Sequence, residues 1–399
     1  MSTAPGLGRH ASNVGSVPLS RRIAVAVIAF FVFFAIAEIL LRLFWENPYH
    51  SDHVSLVVEL TVPPKNINVT IDRSAINPAV PKVVFRTDSR GYIQPAARFD
   101  EPDYSVAFLG GSTTECAFVQ EHLRFPAQVS FLLEKKGVKL NALNLGVSGN
   151  DTHQSLNNLL NYVVNDRPTA VVLMEAANDI GHLRTPVGYQ RAMGNSPTLT
   201  GLARLLFQKA SAYSAILGMV RNAKVLLGNK AALDRARKGG DDLRLDDKTS
   251  RIAVEQHTAR LRAFVNTARA FGIIPVLMTQ PSANYRNALT PEWINQSDQA
   301  LFNQAIRDTA AAEKVELIDL VRYLDEREKA QGKFAEPVFY DAIHVTDYGA
   351  TLYAEHIASR LAEILGRRSA LSPSASDIAN GRELRAGAGT PASANALPR

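Results

Sequence analysis

The chain has 399 residues, 46% hydrophobic and 21% charged, a composition that fits a large globular core built as two units or as one α/β domain with insertions. Its net charge of +6 is local, because residues 186–250 hold eleven Lys or Arg against five Asp. These basic residues are not interleaved with aromatic ones as in a nucleic-acid groove, so no nucleic-acid partner is predicted. The single cysteine, Cys116, excludes an intrachain disulfide and any multi-cysteine zinc site.

The first predicted element is a long apolar helix at residues 23–45, which read IAVAVIAFFVFFAIAEILLRLFW. A helix of this length can cross about 30 Å of hydrocarbon. Residues 1–22 are predicted to be a disordered cytoplasmic tail, since they contain three arginines and no acidic residue. The positive-inside rule then places the bulk of the chain in the periplasm or outside the cell.

The apolar helix is interpreted as an uncleaved membrane anchor. The alternative is a cleaved signal peptide, for which Ala35 and Ala37 would supply the small residues of a cleavage site. The anchor is favoured because the apolar run continues past these alanines. Glu38 and Arg42 lie four residues apart on one face near its far end, where they can pair or extend toward water.

A strand–helix alternation follows a β-rich segment. Residues 46–99, with strand-like runs VSLVVEL and VPKVVF, are predicted to be a membrane-proximal β-rich segment packed on the main domain. Strands are then predicted at 104–110, 140–146, 169–176, 273–280 and 314–320, and helices at 125–137, 152–164, 247–271, 297–312 and 347–366. This alternation predicts an α/β domain over 100–367, with a central parallel sheet between two helical layers. Residues 368–399 are predicted to be a disordered tail.

Residues 186–245 interrupt the alternation and are interpreted as an insertion. The first part has a helical period, and residues 232–247, which read ALDRARKGGDDLRLDD, are predicted to be an exposed loop. Three interpretations stay open for this basic, amphipathic segment: a lid over the cleft, contact with anionic lipid or acidic glycan, and a solvated helical hairpin.

The stretch FLGGSTTEC places Ser112 directly after the strand 104–110, at the sheet edge where parallel α/β folds bind ligands. A serine hydroxyl is a weak nucleophile until a base, oriented by a carboxylate, takes its proton. His344 lies three residues after Asp341 in FYDAIHVTDYGA, before the last helix. In a tight turn this spacing lets the carboxylate reach Nδ1 and leaves Nε2 to face the serine. Taken singly, Ser112 and the Asp341–His344 pair could each belong to an ordinary polar turn.

An activated serine also needs fixed donors for the developing oxyanion. The N–H of Ser112, at a strand-to-helix turn after two glycines, is one candidate. Gly149 in NLGVSGNDT lets backbone approach a substrate closely, and Asn178 in LMEAANDI offers a side-chain amide. The alternative is that Gly149 only makes a turn and that Asn178 and Asp179 only cap a helix.

Taken together, these four blocks resemble the SGNH hydrolase superfamily, also called GDSL esterases, in the membrane-anchored bacterial form with a GGSTT first block. The resemblance covers roughly residues 100–366 and includes the segment FRTDSRGYIQP at 85–95. It implies a flavodoxin-like fold, with Ser112 as nucleophile, His344 as general base and acid, and Asp341 as its orienting carboxylate. It also implies an oxyanion hole made by Ser112, Gly149 and Asn178.

The chain departs from the family pattern at two positions and has several polar residues near the predicted site. Gly111 stands where the family usually has aspartate, and Ala176 where it usually has glycine. Glu115 is interpreted as a solvated or helix-terminal acid, and Cys116 as a small core residue. Of the remaining acidic and histidine side chains, the acids are expected to support turns and the histidines lack metal-ligand spacing: Asp151, Asp179, His122, His153 and His182. No metal and no cofactor are predicted.

These observations predict a serine esterase that hydrolyses acyl esters, in particular short-chain or O-acetyl esters, on substrates that include an acylated glycan or lipid. One alternative is an O-acetyltransferase that uses the same triad to modify a cell-surface polysaccharide. Another is a catalytically silent carbohydrate-binding or assembly protein, which the presence of the full Ser, Gly, Asn, Asp and His set disfavours. Activity is expected to fall as the pH drops, because an imidazolium cannot accept the serine proton.

Overall fold

The computed structural model describes residues 18–45, 47, 60–183, 188–191, 199–224, 247–283 and 296–371. The chain divides into two compact units, a smaller one from Met1–His53 with Ser196–Asn229 and a larger one from Val54–Asn195 with Lys230–Arg399. The strand-like run at 54–59, the loop predicted at 232–246 and the tail from 372 onward lie outside the described residues.

The five strands and five helices predicted for the main domain occur in the predicted order, together with further helices. The strands in the described ranges are β1 (Asn68–Asp72), β2 (Lys82–Arg86), β3 (Tyr104–Gly110), β4 (Leu140–Asn144), β5 (Ala170–Met174), β6 (Ile274–Met278) and β7 (Glu316–Ile318). The α-helices there are α1 (Leu19–Phe44), α2 (Ser112–Glu115), α3 (Phe125–Glu134), α4 (Thr152–Asn161), α5 (Ala177–Leu183), α6 (Leu199–Tyr213), α7 (215–224), α8 (Asp247–Ala270), α9 (Gln296–Glu313), α10 (Leu320–Gln331) and α11 (Asp347–Leu371).

The larger unit contains a five-stranded parallel sheet with the spatial order β4-β3-β5-β6-β7. This order confirms the predicted α/β fold with a central parallel sheet flanked by helices. The chain passes from β4 on one side of β3 to β5 on its other side, so the strand order reverses at β3. In open parallel sheets, ligands bind outside the carboxyl ends of the strands at such a reversal. The fold therefore places the candidate site beyond the ends of β3 and β5.

Both faces of the sheet are covered, which is why its strands read as nearly continuous apolar runs. Successive residues of β3 point to opposite faces. Val106 and Phe108 belong to a core with α3 and α11, whereas Ala107 and Leu109 belong to a core with α4, α8 and α9. The sheet is thus the middle of three layers.

Two further features of the larger unit bear on the sequence predictions. The run VPKVVF contains most of β2, which pairs with β1 as an antiparallel hairpin. The helix α10 was not predicted, because its sequence LVRYLDEREKAQ is strongly polar and has a weak apolar period. The start of α10 is fixed by Asp319, whose carboxylate accepts a hydrogen bond from the backbone N–H of Arg322.

The smaller unit contains α1, α6 and α7. The helix α1 begins at Leu19, four residues before the predicted start, and no residue of its 26 is buried. Its apolar composition gives a mean hydropathy of 2.8 in the most apolar window. Near its end, Arg42 Nε donates to Glu38 Oε1 at 2.9 Å, so these two charged side chains form the i, i+4 pair that their spacing allows.

Candidate active site

The nucleophile candidate stands at the sharp turn between β3 and α2. Ser112 is the first residue of α2, so its N–H has no acceptor within the helix. The turn leaves no room for a side chain at Gly110, where a Cβ would lie 2.1 Å from Thr114 Oγ1 and 2.7 Å from the carbonyl oxygen of Met174. The two glycines thus let β3 turn tightly into α2 and present the serine beyond the end of β3.

Ser112, His344 and Asp341 lie in hydrogen-bonding contact. Ser112 Oγ is 2.6 Å from His344 Nε2, and His344 Nδ1 is 2.7 Å from Asp341 Oδ2. The ring of Tyr340 stacks on the imidazole, with ring centroids 5.5 Å apart and planes 9° apart. The distances are those required for an imidazole that receives the serine proton while a carboxylate holds its other nitrogen.

Backbone N–H groups, as well as the imidazole, bind the carboxylate of Asp341. Its Oδ1 accepts from the backbone N–H groups of Ile343 at 3.0 Å and His344 at 2.8 Å. Burial by itself would raise the pKa of Asp341, but the hydrogen bonds from His344 and from these backbone groups outweigh it and hold the pKa below its ordinary value. The carboxylate therefore stays ionised and fixes the orientation of the ring.

The segment that contains Gly149 and the segment that contains Asn178 both approach Gly111. Gly149 has φ +87°, a backbone conformation that favours glycine, and it lies in the exposed turn before α4. Asn178 Nδ2 donates to the carbonyl oxygen of Asn150 at 2.6 Å. A Cβ placed on Gly111 would lie 2.5 Å from this same Nδ2. The amide of Asn178 therefore lies directly beside the residue that precedes Ser112.

Glu115 lies at the same edge of the sheet and contacts the turn that carries Gly149. Its Oε2 accepts a hydrogen bond from Ser148 Oγ, and the side chain is half-buried. Burial raises the pKa of Glu115, although the contacts with Ser148 and the electrostatic interaction with His344 oppose this shift. Of the two interpretations from the sequence, a helix-terminal acid describes Glu115, which lies in the first turn of α2, and a solvated acid does not.

Ala176 and two polar residues complete the surroundings of the site. Ala176 is fully buried in the core on one face of the sheet, so its methyl does not face solvent. Gln280 Oε1 accepts from the N–H of Ala177 at 2.7 Å, and Gln280 Nε2 donates to Thr113 Oγ1 at 2.9 Å. Gln280 therefore connects α2 to α5. Gln280 follows β6 at the same edge of the sheet, and this position after a strand end is the sequence signal that could have identified it.

Glu175, which the sequence did not indicate as a site residue, is a buried carboxyl group close to Gly111. Its Oε1 accepts from Ser155 Oγ at 3.0 Å, and its Oε2 lies 3.5 Å from the position of a Cβ on Gly111. Burial, and then the charges of Asp179 and Asp151, raise the pKa of Glu175 well above its ordinary range. A carboxyl group thus lies close to the position where the resembled family has its aspartate.

The remaining polar residues form structural contacts. Asp151 caps α4 in a reciprocal pair with Gln154 and also lies 2.6 Å from His182 Nδ1. Asp179 accepts from Thr152, and His153 is half-buried near Tyr189. Of the last two residues singled out in the sequence, His122 is exposed and Cys116 is buried. Burial raises the pKa of the Cys116 thiol to about 12. Across the described ranges, no three His, Cys, Asp or Glu side chains are grouped so that they could hold a metal ion.

The sequence pattern of the GDSL-like Lipase/Acylhydrolase family matches residues 108–352, more than half of the chain. The chain belongs to this family and is an esterase that acts on ester bonds. Its first matched residue lies in β3 and its last in α11, so the match includes every residue of the predicted triad.

Solved structures similar to the chain include several esterases. An acetyl xylan esterase, AlAXEase, is 17% identical, with 64% of this chain and 98% of that chain covered and a TM-score of 0.39. The acetylxylan esterase Axe2 from Geobacillus stearothermophilus is 15% identical, with coverage of 65% and 94% and a TM-score of 0.40. The esterase EstA from Pseudoalteromonas sp. is 12% identical, with coverage of 66% and 100% and a TM-score of 0.38. No curated protein matches the chain.

Proposed function

We propose that this esterase is anchored in a membrane by α1 and hydrolyses short-chain acyl esters, O-acetyl esters among them, through a serine acyl-enzyme. The observation that carries the proposal is the hydrogen-bonded series from Ser112 Oγ through His344 to Asp341, with distances of 2.6 and 2.7 Å. It lies at the carboxyl end of β3, where the sheet order reverses.

The reaction begins when His344 Nε2 takes the proton of Ser112 Oγ as this oxygen attacks the ester carbonyl. Asp341 holds the proton on Nδ1, so the lone pair of Nε2 faces the serine, and its negative charge stabilises the imidazolium that forms. Collapse of the tetrahedral intermediate expels the alcohol, which takes its proton from His344. Water then attacks the acyl-enzyme by the same route and restores Ser112.

The oxyanion is received by the N–H of Ser112, the N–H of Gly149 and the side-chain amide of Asn178. The amide nitrogen of Asn178 carries two hydrogens, and the bond to the carbonyl oxygen of Asn150 uses one of them. The second can donate to the oxyanion while the first keeps the side chain in place. This arrangement requires no reorganisation of the side chain when charge develops.

The residues around Ser112 favour a small acyl group on a polar alcohol. Glu115, three residues after Ser112 in α2, binds Ser148, and the amide of Asn178 lies beside Gly111. These polar groups suit an acetyl ester on a hydroxyl-rich substrate such as a glycan. A long acyl chain would need an extended apolar surface beside the nucleophile.

The activity is tested with a fluorophosphonate probe and a short-chain aryl ester. We expect the probe to label the peptide that contains Ser112, and we expect Ser112→Ala to lower kcat by about 10³-fold or more without loss of folded protein. Ser89→Ala, at an exposed serine of the same unit, is the matched control and retains labelling and turnover. Turnover that persists in Ser112→Ala, or a label on another residue, contradicts the proposal.

A further inference from the structure

The end of α1 is bound to the corner where α6 meets α7. Glu38 accepts hydrogen bonds from Ser214 Oγ at 2.9 Å and from the first N–H groups of α7, those of Ala215 at 2.7 Å and Ile216 at 3.1 Å. A carboxylate at a helix N-terminus satisfies N–H groups that the helix leaves unpaired and complements the positive end of its dipole. The acidic residue of the apolar helix therefore has a defined structural partner.

Two more side chains contact this corner, one from the last turn of α1 and one from three residues beyond its end. Arg42 Nη2 donates to the carbonyl oxygen of Tyr213 at 2.5 Å, and Asn47 Nδ2 donates to that of Ser211 at 2.8 Å. Asn47 also packs against Gly218, where a Cβ would lie 2.6 Å from its side chain. The half-buried residues of α1 and its C-cap lie on one face, at a spacing of three to four: Ala37, Glu38, Leu41 and Trp45.

The position of Glu38 along α1 sets the depth of the corner if α1 spans a bilayer. The helix rises about 24 Å between Arg22 and Glu38, somewhat less than the roughly 30 Å of a hydrocarbon core. Glu38 then lies near the outer boundary of the hydrocarbon, where an unpaired carboxylate is costly. Its hydrogen bonds to the start of α7 relieve this cost, and they require the corner to lie at the same depth.

The surface of α6 and α7 has the composition of a helix pair that lies in a membrane interface. Four large apolar side chains are exposed, by 39 to 64%: Leu206, Tyr213, Met219 and Val220. Residues 199–224 contain four basic residues, Arg204, Lys209, Arg221 and Lys224, and no acidic residue. Apolar side chains combined with basic ones bind a bilayer surface that contains anionic lipid.

We propose that residues 199–224 form a membrane-docking collar, which lies in the headgroup region of an anionic phospholipid bilayer and is held there by Glu38, Arg42 and Asn47 of the anchor. The inference rests on the membrane anchoring proposed above and is independent of the ester chemistry. The insertion then binds the lipid surface. Of the three interpretations of its sequence, this proposal favours contact with anionic lipid.

The test uses the full chain reconstituted into vesicles of phosphatidylethanolamine and phosphatidylglycerol. An environment-sensitive fluorophore is attached at Met219→Cys or Leu206→Cys, and at Leu160→Cys as the control, an exposed leucine of α4 in the other unit. The native Cys116 is buried and does not compete for the label. We expect nitroxide-labelled lipid to quench the labels at 219 and 206 at least threefold more than the label at 160. Replacing phosphatidylglycerol by phosphatidylcholine is expected to reduce that quenching.

Two outcomes overturn the collar. If iodide in the aqueous phase quenches positions 219 and 206 as fully as position 160, the helices lie in water. If neither iodide nor lipid nitroxide reaches these labels, a second copy of the chain or another segment covers them.

A sodium carbonate wash tests the anchor separately, since a chain whose α1 does not span the bilayer is released as a whole. Release by carbonate therefore refutes the anchor, whereas retention with labels in water refutes the collar alone.

Discussion

Gly111 occupies the position where the resembled family has aspartate, and its neighbours explain why this chain has no side chain there. A Cβ at Gly111 would lie 2.5 Å from Asn178 Nδ2 and 3.1 Å from the carbonyl oxygen of Asn150. A carboxyl group on this Cβ would also approach the buried carboxyl group of Glu175. The glycine thus leaves room for the amide of Asn178. The carboxyl group of Glu175 lies beside the same space.

The variant Gly111→Ala tests this steric relation. The backbone at Gly111, with φ −82° and ψ −155°, is accessible to alanine, so the methyl group acts mainly through its contacts. The amide of Asn178 must move, and we expect kcat to fall by about 10- to 10³-fold through the loss of one oxyanion donor. The free energy of unfolding should change by less than about 2 kcal/mol, because a side-chain end can shift.

Gly181→Ala is the matched control for Gly111→Ala. Gly181 lies in α5, three residues after Asn178, and a Cβ there meets no atom within 4 Å. We expect its kcat to equal that of the wild type in a steady-state assay with a short-chain aryl ester. A Gly111→Ala enzyme with unchanged kcat would show that the amide of Asn178 is not constrained by the space at residue 111.

The sequence was sufficient to bring together the candidate site residues that follow strand ends or share a turn, although their roles stay predictions. Ser112 lies two residues after the end of β3, and Asp341 lies three residues from His344. The sequence was not sufficient for Gln280, whose partner Thr113 is 167 residues away, because such a contact depends on the strand order. Glu175 was missed for a related reason: a carboxyl group within an apolar run has no sequence pattern that identifies the face it points to.

At the scale of elements, an ion pair connects the β1–β2 hairpin to the start of α11. Arg73, which is buried just after β1, donates to both carboxylate oxygens of Asp347 at 2.8 Å and to the carbonyl oxygen of Phe118 at 2.7 Å. Gln120 also donates to Asp347 through its backbone N–H and its side chain. Asp347 is three residues from His344, so these contacts fix the helix that follows the histidine turn.

This network predicts how stability depends on pH. Burial would raise the pKa of Asp347, but hydrogen bonds from Arg73 and Gln120 outweigh it and lower the pKa below 3.8. Because the folded state favours the ionised form, this stabilisation is present above pH 3.8 and is lost as the pH falls through the lower pKa of the folded state. Asp347→Asn should therefore unfold more easily at pH 7, by about 2 kcal/mol, and lose less further stability on acidification.

Denaturant unfolding of the wild type and Asp347→Asn between pH 7 and pH 3 measures this difference. The two curves of unfolding free energy against pH should converge toward acid. Asp308→Asn, at an exposed aspartate of α9, is the control and should follow the wild type throughout. Curves that remain parallel for the wild type and Asp347→Asn would mean that the ion pair contributes no pH-dependent stability.

The elements themselves were predictable where the apolar period is strong, and their ends were not. The predicted strand at 140–146 ends at Asn144, because the Asn144 side chain accepts from the N–H of Gly146 and so turns the chain. The predicted helix at 152–164 ends at Asn161 and continues as a short 3-10 turn at Val163–Asp166. Local hydrogen bonds of this kind decide where an element ends, and an apolar pattern does not encode them.

At the scale of the whole molecule, the described residues leave the apolar side chains of α1 exposed over most of its length. Its exposed leucine, isoleucine, valine and phenylalanine side chains would be unfavourable in water, at about 25 cal/mol per Å² of apolar area. The chain therefore needs either a lipid environment for α1 or its removal. Cleavage after Ala37 would make Glu38 the first residue, with a new ammonium group beside the positive end of the α7 dipole.

This electrostatic conflict favours retention of α1, and expression of the full chain with its N-terminus intact tests it. We expect the protein to stay in the membrane fraction after a carbonate wash and to have an intact mass of 43.5 kDa, apart from any loss of the initiator methionine. The variant Ala37→Leu, which removes one small residue of the potential cleavage site, should have the same size and distribution as the wild type. A soluble protein that begins at Glu38 in the wild type, together with a longer product from Ala37→Leu, would identify α1 as a signal peptide. The esterase would then act free of the membrane, and the basic helices α6 and α7 would have no fixed depth relative to a lipid surface.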